Sequence, residues 1–238
     1  RLGLCLNLPK ETGMAQFYLV RHGQASFGSD NYDQLSPLGH QQARWLGEYF
    51  AERDMGFDAL ITGDLVRHQE TGAGICEGLG VQLPVDIQPG LNEFDFHSIV
   101  DAYLAQHPDQ APPEGASAAA FYKALKTAMT HWRDDSLTGD LPETWQMFAD
   151  RVAAARAHIQ SHYSERDRVV IVSSGGAMAM FMKQVLQAAD ETVVELNLQI
   201  RNTSVAHGFF NRKVVRLAGF NNVPHLDRTD RLDAITYF

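Results

Sequence analysis

Four short stretches of this chain carry side chains suited to handling anions and protons. Arg21-His22-Gly23 follows directly on the apolar run "QFYLV" (16–20). Arg67 stands in "DLVRHQET", and Glu93, Asp95 and His97 stand together in "LNEFDFH". In "RVVIVSSGGAMAMFM" (168–182), Ser173-Ser174-Gly175-Gly176 separates an apolar run from a helical one. Singly, each has an ordinary structural reading: a solvated Arg, a turn-capping carboxylate, a loop imidazole, a tight Gly turn. Together they supply the parts of an anion site. Two guanidiniums can fork onto phosphate oxygens. Backbone N–H groups of Gly175 and Gly176 can aim at the same anion from a helix start. An imidazole among them can attack phosphorus, and a neighbouring carboxyl can protonate the leaving oxygen.

Such a site needs elements that bring the four stretches to one place, and the periodicity supplies them. "QFYLV", "FDALIT" (57–62) and "RVVIVS" (168–173) read as buried strands. "QLPVDI" (82–87) is a further strand, confined to an edge by Pro84. "SPLGHQQARWLGEYFAER" predicts a helix with Ser36 as N-cap, Pro37 in its first turn, and Leu46 and Phe50 inward. A second helix spans 64–80 and closes at Gly80. "LPETWQMFADRVAAARAHIQSHY" is the clearest helix, its apolar face made by Trp145, Phe148, Val152, Ala155 and Ile159. "TSVAHGFFNRKVVRLAGFN" reads as two antiparallel strands turning near Asn211-Arg212. The pattern loosens over about 98–140, which is expected to be a helical, lid-like insert. Alternation of strand and helix gives an α/β class, a three-layer α/β/α sandwich with a mostly parallel central sheet. In such sheets ligands bind beyond the carboxyl ends of the strands, where all four stretches fall.

The bulk properties narrow the functions. The 238 residues are 45% hydrophobic and 21% charged, the balance of one globular domain. A net charge of -9 argues against nucleic acid as partner. No apolar run reaches membrane-span length. Cys5 and Cys76 make no disulfide framework and read as reduced thiols, which suggests a cytoplasmic protein. Residues 1–13 read as a poorly ordered extension before "MAQFYLV", which opens a domain expected to run over 14–238. Dinucleotide, P-loop and serine-elbow motifs are missing; "SSGGAM" has no Gly two places before Ser174. His158 and His162 have a zinc-compatible spacing on a helix, with no third ligand evident.

Taken in order, "FYLVRHGQA", "YDQLSPLGHQQARWLG", "TGDLVRHQET", "LNEFDF" and "VVIVSSGGAM" resemble the histidine phosphatase superfamily, the phosphoglycerate-mutase-like group. The resemblance runs from about Gln16 to the C-terminus. It implies a phosphohistidine mechanism: His22 takes the phosphoryl group, Arg21 and Arg67 hold its oxygens, Glu93 is the general acid, and no metal or organic cofactor is needed. Gly23, Ser174 and Gly175 fall in the phosphate-binding segments. The resemblance also implies a second histidine where Ser174 stands. A neutral hydroxyl in place of a charge-assisted donor forfeits about 2–4 kcal/mol of transition-state stabilisation, by analogy with losing one oxyanion donor. His97 is the first expected compensator, then His207 or His225. A phosphate-touching Asn is also expected some residues after Arg-His-Gly; Gly28 lies near that place. The expected function is hydrolysis of a small phosphorylated substrate. The alternatives are a phosphoglycerate-type mutase and a catalytically weak member that binds phosphorylated ligands. The oligomeric state is left open.

Overall fold

In the computed structural model, residues 13–26, 33–113 and 118–237 are described. Residues 1–12 of the expected N-terminal extension, with Cys5, and Gly28 lie outside the described residues. Six strands form one sheet: β1 (Ala15–Arg21), β2 (Ala59–Thr62), β3 (Val85–Ile87), β4 (Arg168–Ser173), β5 (Val205–Phe210) and β6 (Val215–Asn222), in the order β3-β2-β4-β1-β5-β6. The first four are mutually parallel, and β5 and β6 add antiparallel at one edge. The α/β class with a mostly parallel sheet is therefore the observed architecture. β3 is an edge strand, shorter than predicted, because Pro84 lies just before it and contributes only its carbonyl, which accepts from Leu60 N.

Alternation along the strands decides the layers. Phe17 and Leu19 of β1, Ile61 of β2 and Val169 and Ile171 of β4 face one core. Val20, Leu60, Val170 and Val172 face the other. The second core is closed by α1 (Pro37–Ala51) and α2 (Val66–Leu79) through Leu46, Phe50, Ile75 and Cys76. The first is closed by α3 (Phe96–Gln106), α4 (Ala118–Arg133), α5 (Trp145–His162), α6 (Gly175–Leu186) and α7 (Glu191–Asn197). The five predicted apolar positions of α5 are all buried. α6 is buried on every side from Gly175 to Met182, as befits a helix between sheet and outer helices. Ser36 caps α1 by accepting from Gly39 N at 3.0 Å. The region around 98–140 contains α3 and α4, which pack onto the first core through Ile99, Val100, Tyr103, Leu125 and Met129. α7 was not foreseen.

The link between fold and site is a backbone contact. The Gly23 turn after β1 passes under the first turn of α1. A methyl added to Gly23 would lie 2.5 Å from the Gly39 carbonyl oxygen, and one added to Gly39 would run into the Gln24 carbonyl. Three residues on, fully buried Gln42 accepts from Gln24 N at 2.8 Å and donates to Ala234 O at 2.7 Å. The Gly and the Gln of the α1 stretch thus clamp the turn from the helix side and tie it to the C-terminal segment. Gly39→Ala is expected to destabilise by about 2–3 kcal/mol, through backbone overpacking. That is roughly 4–12 °C for a domain of this size. Gly56→Ala, where an added Cβ meets nothing within 4 Å, serves as the neutral control. Equal melting temperatures for the two variants would refute the clamp.

Candidate active site

β1 ends at Arg21, whose register partner on β4 is Ser173, so His22 and Ser174 leave neighbouring strands at one level. His22 N donates to Ser173 O at 2.9 Å. The imidazole is buried, and its Nδ1 lies 2.7 Å from the Gly23 carbonyl. A carbonyl only accepts, so Nδ1 carries the proton and Nε2 keeps its lone pair. Burial is the main force holding His22 well below the ordinary imidazole range, aided by the Arg67 and Arg21 guanidiniums and His68. The ring is neutral at physiological pH.

Arg67 sits in the first turn of α2, buried, with Nη1 2.6 Å from Asp33 Oδ1. Asp33 Oδ2 accepts from Val66 N at 3.0 Å, so one carboxylate caps the helix and orients the guanidinium. Thr71, one turn on, accepts from Gly23 N at 3.0 Å and donates to Arg67 O at 2.7 Å, which ties the α2 start to the turn carrying His22. Arg21 Nη1 donates to the Ile200 carbonyl and to the Tyr237 carbonyl, the latter at 2.6 Å.

Glu93 enters from the loop after β3, held by Ser173 Oγ, which donates to Leu91 O at 2.7 Å. Glu93 Oε2 accepts from Gly176 N at 3.0 Å. A methyl at Gly176 would collide with the Glu93 carboxylate and the Phe94 ring. The second Gly of the turn is therefore required by the carboxylate packed on it. Burial raises Glu93 above the usual carboxylate range, outweighing the Gly176 hydrogen bond and the Arg67 and Arg21 charges that pull it down. A methyl at Gly175 would approach Asn197 and lie 3.7 Å from the Arg21 guanidinium carbon, so the helix start and Arg21 share one corner.

The turn thus gathers Arg21, His22, Gly23, Arg67, Glu93, Ser174 and Gly175 at the carboxyl end of the sheet. The expected compensating histidines lie elsewhere. His97 is exposed on the first turn of α3, its ring packed on Phe96 at 4.2 Å between centroids. His207 stacks on Tyr18 of β1 at 4.5 Å. His225 is buried against Thr203 Oγ1 at 2.8 Å. The imidazole that does reach the corner is His68, with Nε2 2.7 Å from Ser174 Oγ and its ring centroid 5.7 Å from that of His22. His68 stands next to Arg67 in the chain but was not among the residues expected at the site. The signal was present: His68, Thr71, Gly72 and Ile75 form the buried stripe of α2. His158 Nε2 meets Asp86 at 2.9 Å, and His158 and His162 stack on each other.

Above Arg21 and Glu93 opens a pocket walled by Phe94, Phe96, Phe121, Tyr122, Leu125 and Leu198, with Asn197 and Tyr237 at its edge. Its walls come from α3, α4, α7 and the C-terminal segment. Arg21 is the one cation among the described residues that line it.

His225 braces this corner from behind. Thr203 takes a left-handed backbone (φ 52) and donates its N–H to Arg21 O at 3.1 Å. Burial and Arg231 push His225 down to about 3. The unfolded chain then binds a proton near pH 6.5 that the folded chain refuses, so stability falls as pH drops through 6.5. Between pH 6 and 4 this one group gives a slope of about 1.4 kcal/mol per pH unit. His225→Gln should be destabilised relative to the wild type at pH 7 yet show a shallower pH dependence of unfolding. An unchanged slope would show that His225 takes up its proton in the folded state.

The sequence profile of the histidine phosphatase superfamily (branch 1) matches residues 17–223. A probable phosphoglycerate mutase from Enterobacter sp. (strain 638) is 26% identical over 227 residues, covering 90% of this chain and 96% of the relative. One from Salmonella typhi is 27% identical over 241 residues, covering 93% and 99%. Among solved structures, a phosphoglycerate mutase from Bacillus anthracis superposes with a TM-score of 0.64 at 16% identity, covering 91% of this chain and 96% of that one. A mycobacterial glucosyl-3-phosphoglycerate phosphatase superposes with a TM-score of 0.62 at 20% identity, covering 87% and 99%. These structures share the fold, and their names span mutase and phosphatase.

Proposed function

The chain belongs to the histidine phosphatase superfamily, and we propose that it is a phosphomonoester hydrolase working through a phosphohistidine on His22. The observation that carries this reading is the meeting at one corner of His22, its Nε2 lone pair free of the Gly23 bond, with Glu93, whose carboxyl sits on Gly176 N and is shifted by burial above the ordinary carboxylate range. In the first step His22 Nε2 bonds to phosphorus as the ester P–O bond breaks. The Glu93 carboxyl passes its proton to the leaving oxygen. In the second step the Glu93 carboxylate takes a proton from water, whose oxygen attacks phosphorus. The N–P bond breaks, inorganic phosphate departs, and His22 and Glu93 regain their starting states. Arg21 and Arg67 supply the positive charge that the transferring group requires, so the proposed reaction uses no metal.

The pocket favours the hydrolase over the mutase. A phosphoglycerate carries a carboxylate that wants its own cation; among the described residues of the pocket Arg21 is the one cation, and apart from Glu93 and Asn197 the rest of the lining is aromatic and aliphatic. Such walls suit a small phosphate ester with an apolar or aromatic group.

His22→Ala should abolish turnover of an aryl phosphate in the presence of chelator, and the wild type should form an acid-labile phosphoenzyme on brief mixing. A fully active His22→Ala variant would refute the mechanism. Glu93→Gln keeps the acceptor for Gly176 and loses the proton. It should slow an alkyl phosphate by roughly 10²–10⁴-fold and leave a nitrophenyl phosphate, whose leaving group needs no acid, much less affected. Equal losses on both substrates would remove Glu93 from the acid role.

The pH profile has a defined sign. kcat/KM needs His22 deprotonated and Glu93 protonated. The acid limb should therefore lie below about 6.5 and the alkaline limb above about 4.3, the ordinary values from which the two groups are shifted in opposite directions. An acid limb at or above 6.5 would contradict the neutral nucleophile.

A further inference from the structure

His68 and Ser174 are both fully buried, and neither is used by the chemistry above. Ser174 precedes α6 at the capping position, yet its side chain makes no bond to the helix N–H groups. Its Oγ lies instead 2.7 Å from His68 Nε2. Space for that imidazole comes from Gly63 at the end of β2, where a methyl would overlap His68 Nδ1. Nδ1 itself is buried with no hydrogen-bond partner among the described residues.

That missing partner helps to choose the tautomer. With its proton on Nδ1, His68 would bury an orphan N–H donor and would turn the Ser174 hydroxyl hydrogen toward Nε2. With its proton on Nε2, His68 leaves an under-satisfied acceptor at Nδ1 instead of an orphan donor, and this is the less costly arrangement once a bound anion accepts from Ser174. His68 then donates to Ser174 Oγ and leaves the Ser174 hydroxyl hydrogen without an acceptor. Ser174 sits one strand from His22 at the same level, beside the Arg21–Gly175 corner.

The geometry points to a two-residue relay, His68 Nε2–H to Ser174 Oγ–H to a phosphoryl oxygen, that serves as a third arm of the phosphoryl cradle beside Arg21 and Arg67. The relay rests on the phosphohistidine reading. Ser174 touches the phosphoryl group, and His68 is a positioning residue that acts through it. The imidazole is delivered from α2 rather than from the turn after β4. A donor aimed before substrate arrives needs no reorganisation, and polarisation by His68 strengthens the hydroxyl as a donor.

The test measures kcat, KM and thermal unfolding with an aryl phosphate for the wild type, Ser174→Ala, His68→Ala, His68→Gln and the Ser174→Ala/His68→Ala double variant, with His22→Ala alongside. Each alanine single should lower kcat by roughly 10–100-fold, with KM within about threefold. The double variant should be no slower than the slower single, because the two residues act as one unit. His68→Gln should recover about tenfold over His68→Ala, since its carboxamide can donate to Ser174 Oγ.

Ser174→Ala removes a single oxygen and leaves the packing intact. A kcat within twofold of wild type in that variant would overturn the relay whatever His68→Ala does to folding. Losses that multiply in the double variant would also overturn it. An acid-stable phosphoenzyme would mean that the pair is instead a serine nucleophile with its base, and would overturn the relay and the phosphohistidine together. An inactive His22→Ala beside fully active Ser174→Ala and His68→Ala would remove the relay and leave the phosphohistidine standing. A fully active His22→Ala would remove both.

Discussion

The hydrogen bond from His22 Nδ1 to the Gly23 carbonyl sets the terms for everything around it. It fixes which nitrogen holds the proton and so which nitrogen faces outward with a lone pair. The carbonyl is in reach because the chain turns sharply after β1, and the turn is held by packing: Gly23 against Gly39, Gln24 N on Gln42, and Gly23 N on Thr71. Asn202 adds a hydrogen bond to the His22 carbonyl at 3.1 Å and is itself tied to the C-terminal segment through Thr236. The nitrogen proposed to react is positioned by backbone, amide and hydroxyl contacts from α1, α2 and the segment after α7. Few of those contacts come from groups that look chemical.

Burial and charge then cooperate at His22 and compete at Glu93. For an imidazole, loss of water and two neighbouring guanidiniums both oppose protonation, so the ring stays neutral. For a carboxyl, loss of water favours the proton while the guanidiniums oppose it, and desolvation is the larger effect. One environment thereby drives the two groups toward opposite protonation states, which is the condition a nucleophile and an acid must share. In the proposed reaction a phosphoryl dianion between Arg21 and Arg67 offsets their charge at Glu93. The carboxyl then keeps its proton until the leaving oxygen develops charge of its own.

Strand ends and helix starts made much of this legible in the chain. Arg21, His22, Ser174 and Gly175 directly follow apolar β runs, and Arg67 opens a periodic helix, so their meeting at one edge follows from α/β topology. Gly39 and Gln42 lie in the stretch "YDQLSPLGHQQARWLG" that carries part of the family resemblance, but their reason, clamping the Gly23 turn, appears only with the close approach of α1. His97 misled because nearness to Glu93 along the chain is lost where α3 begins: Asp95 caps that helix and the His97 side chain turns outward. His68 is hard to read from the chain because an imidazole beside an arginine on a helix resembles a solvated charge cluster. Only its place on the buried stripe of α2 distinguishes it. Asn197, Ile200 and Tyr237 reach the site from late in the chain, and no local pattern announces contacts of that range.

The division of labour between sheet and outer elements bears on selectivity. The charged corner is built on strand ends and helix starts fixed by the two cores, whereas the apolar walls come from α3, α4, α7 and the last residues of the chain. In the proposed hydrolase, apolar walls would do more than fit a leaving group. In the proposed reaction, a substrate seated against these walls would exclude water from the space above Arg21 and Glu93 and lower the local dielectric, which would strengthen guanidinium–phosphoryl attraction and favour a protonated Glu93. A substrate whose apolar group fills the pocket completes that exclusion, and one with a charged group brings water in with it. The walls would then act on the rate as well as on binding, because the same substrate fit that buries apolar surface also sets the charge environment in which the phosphoryl group moves.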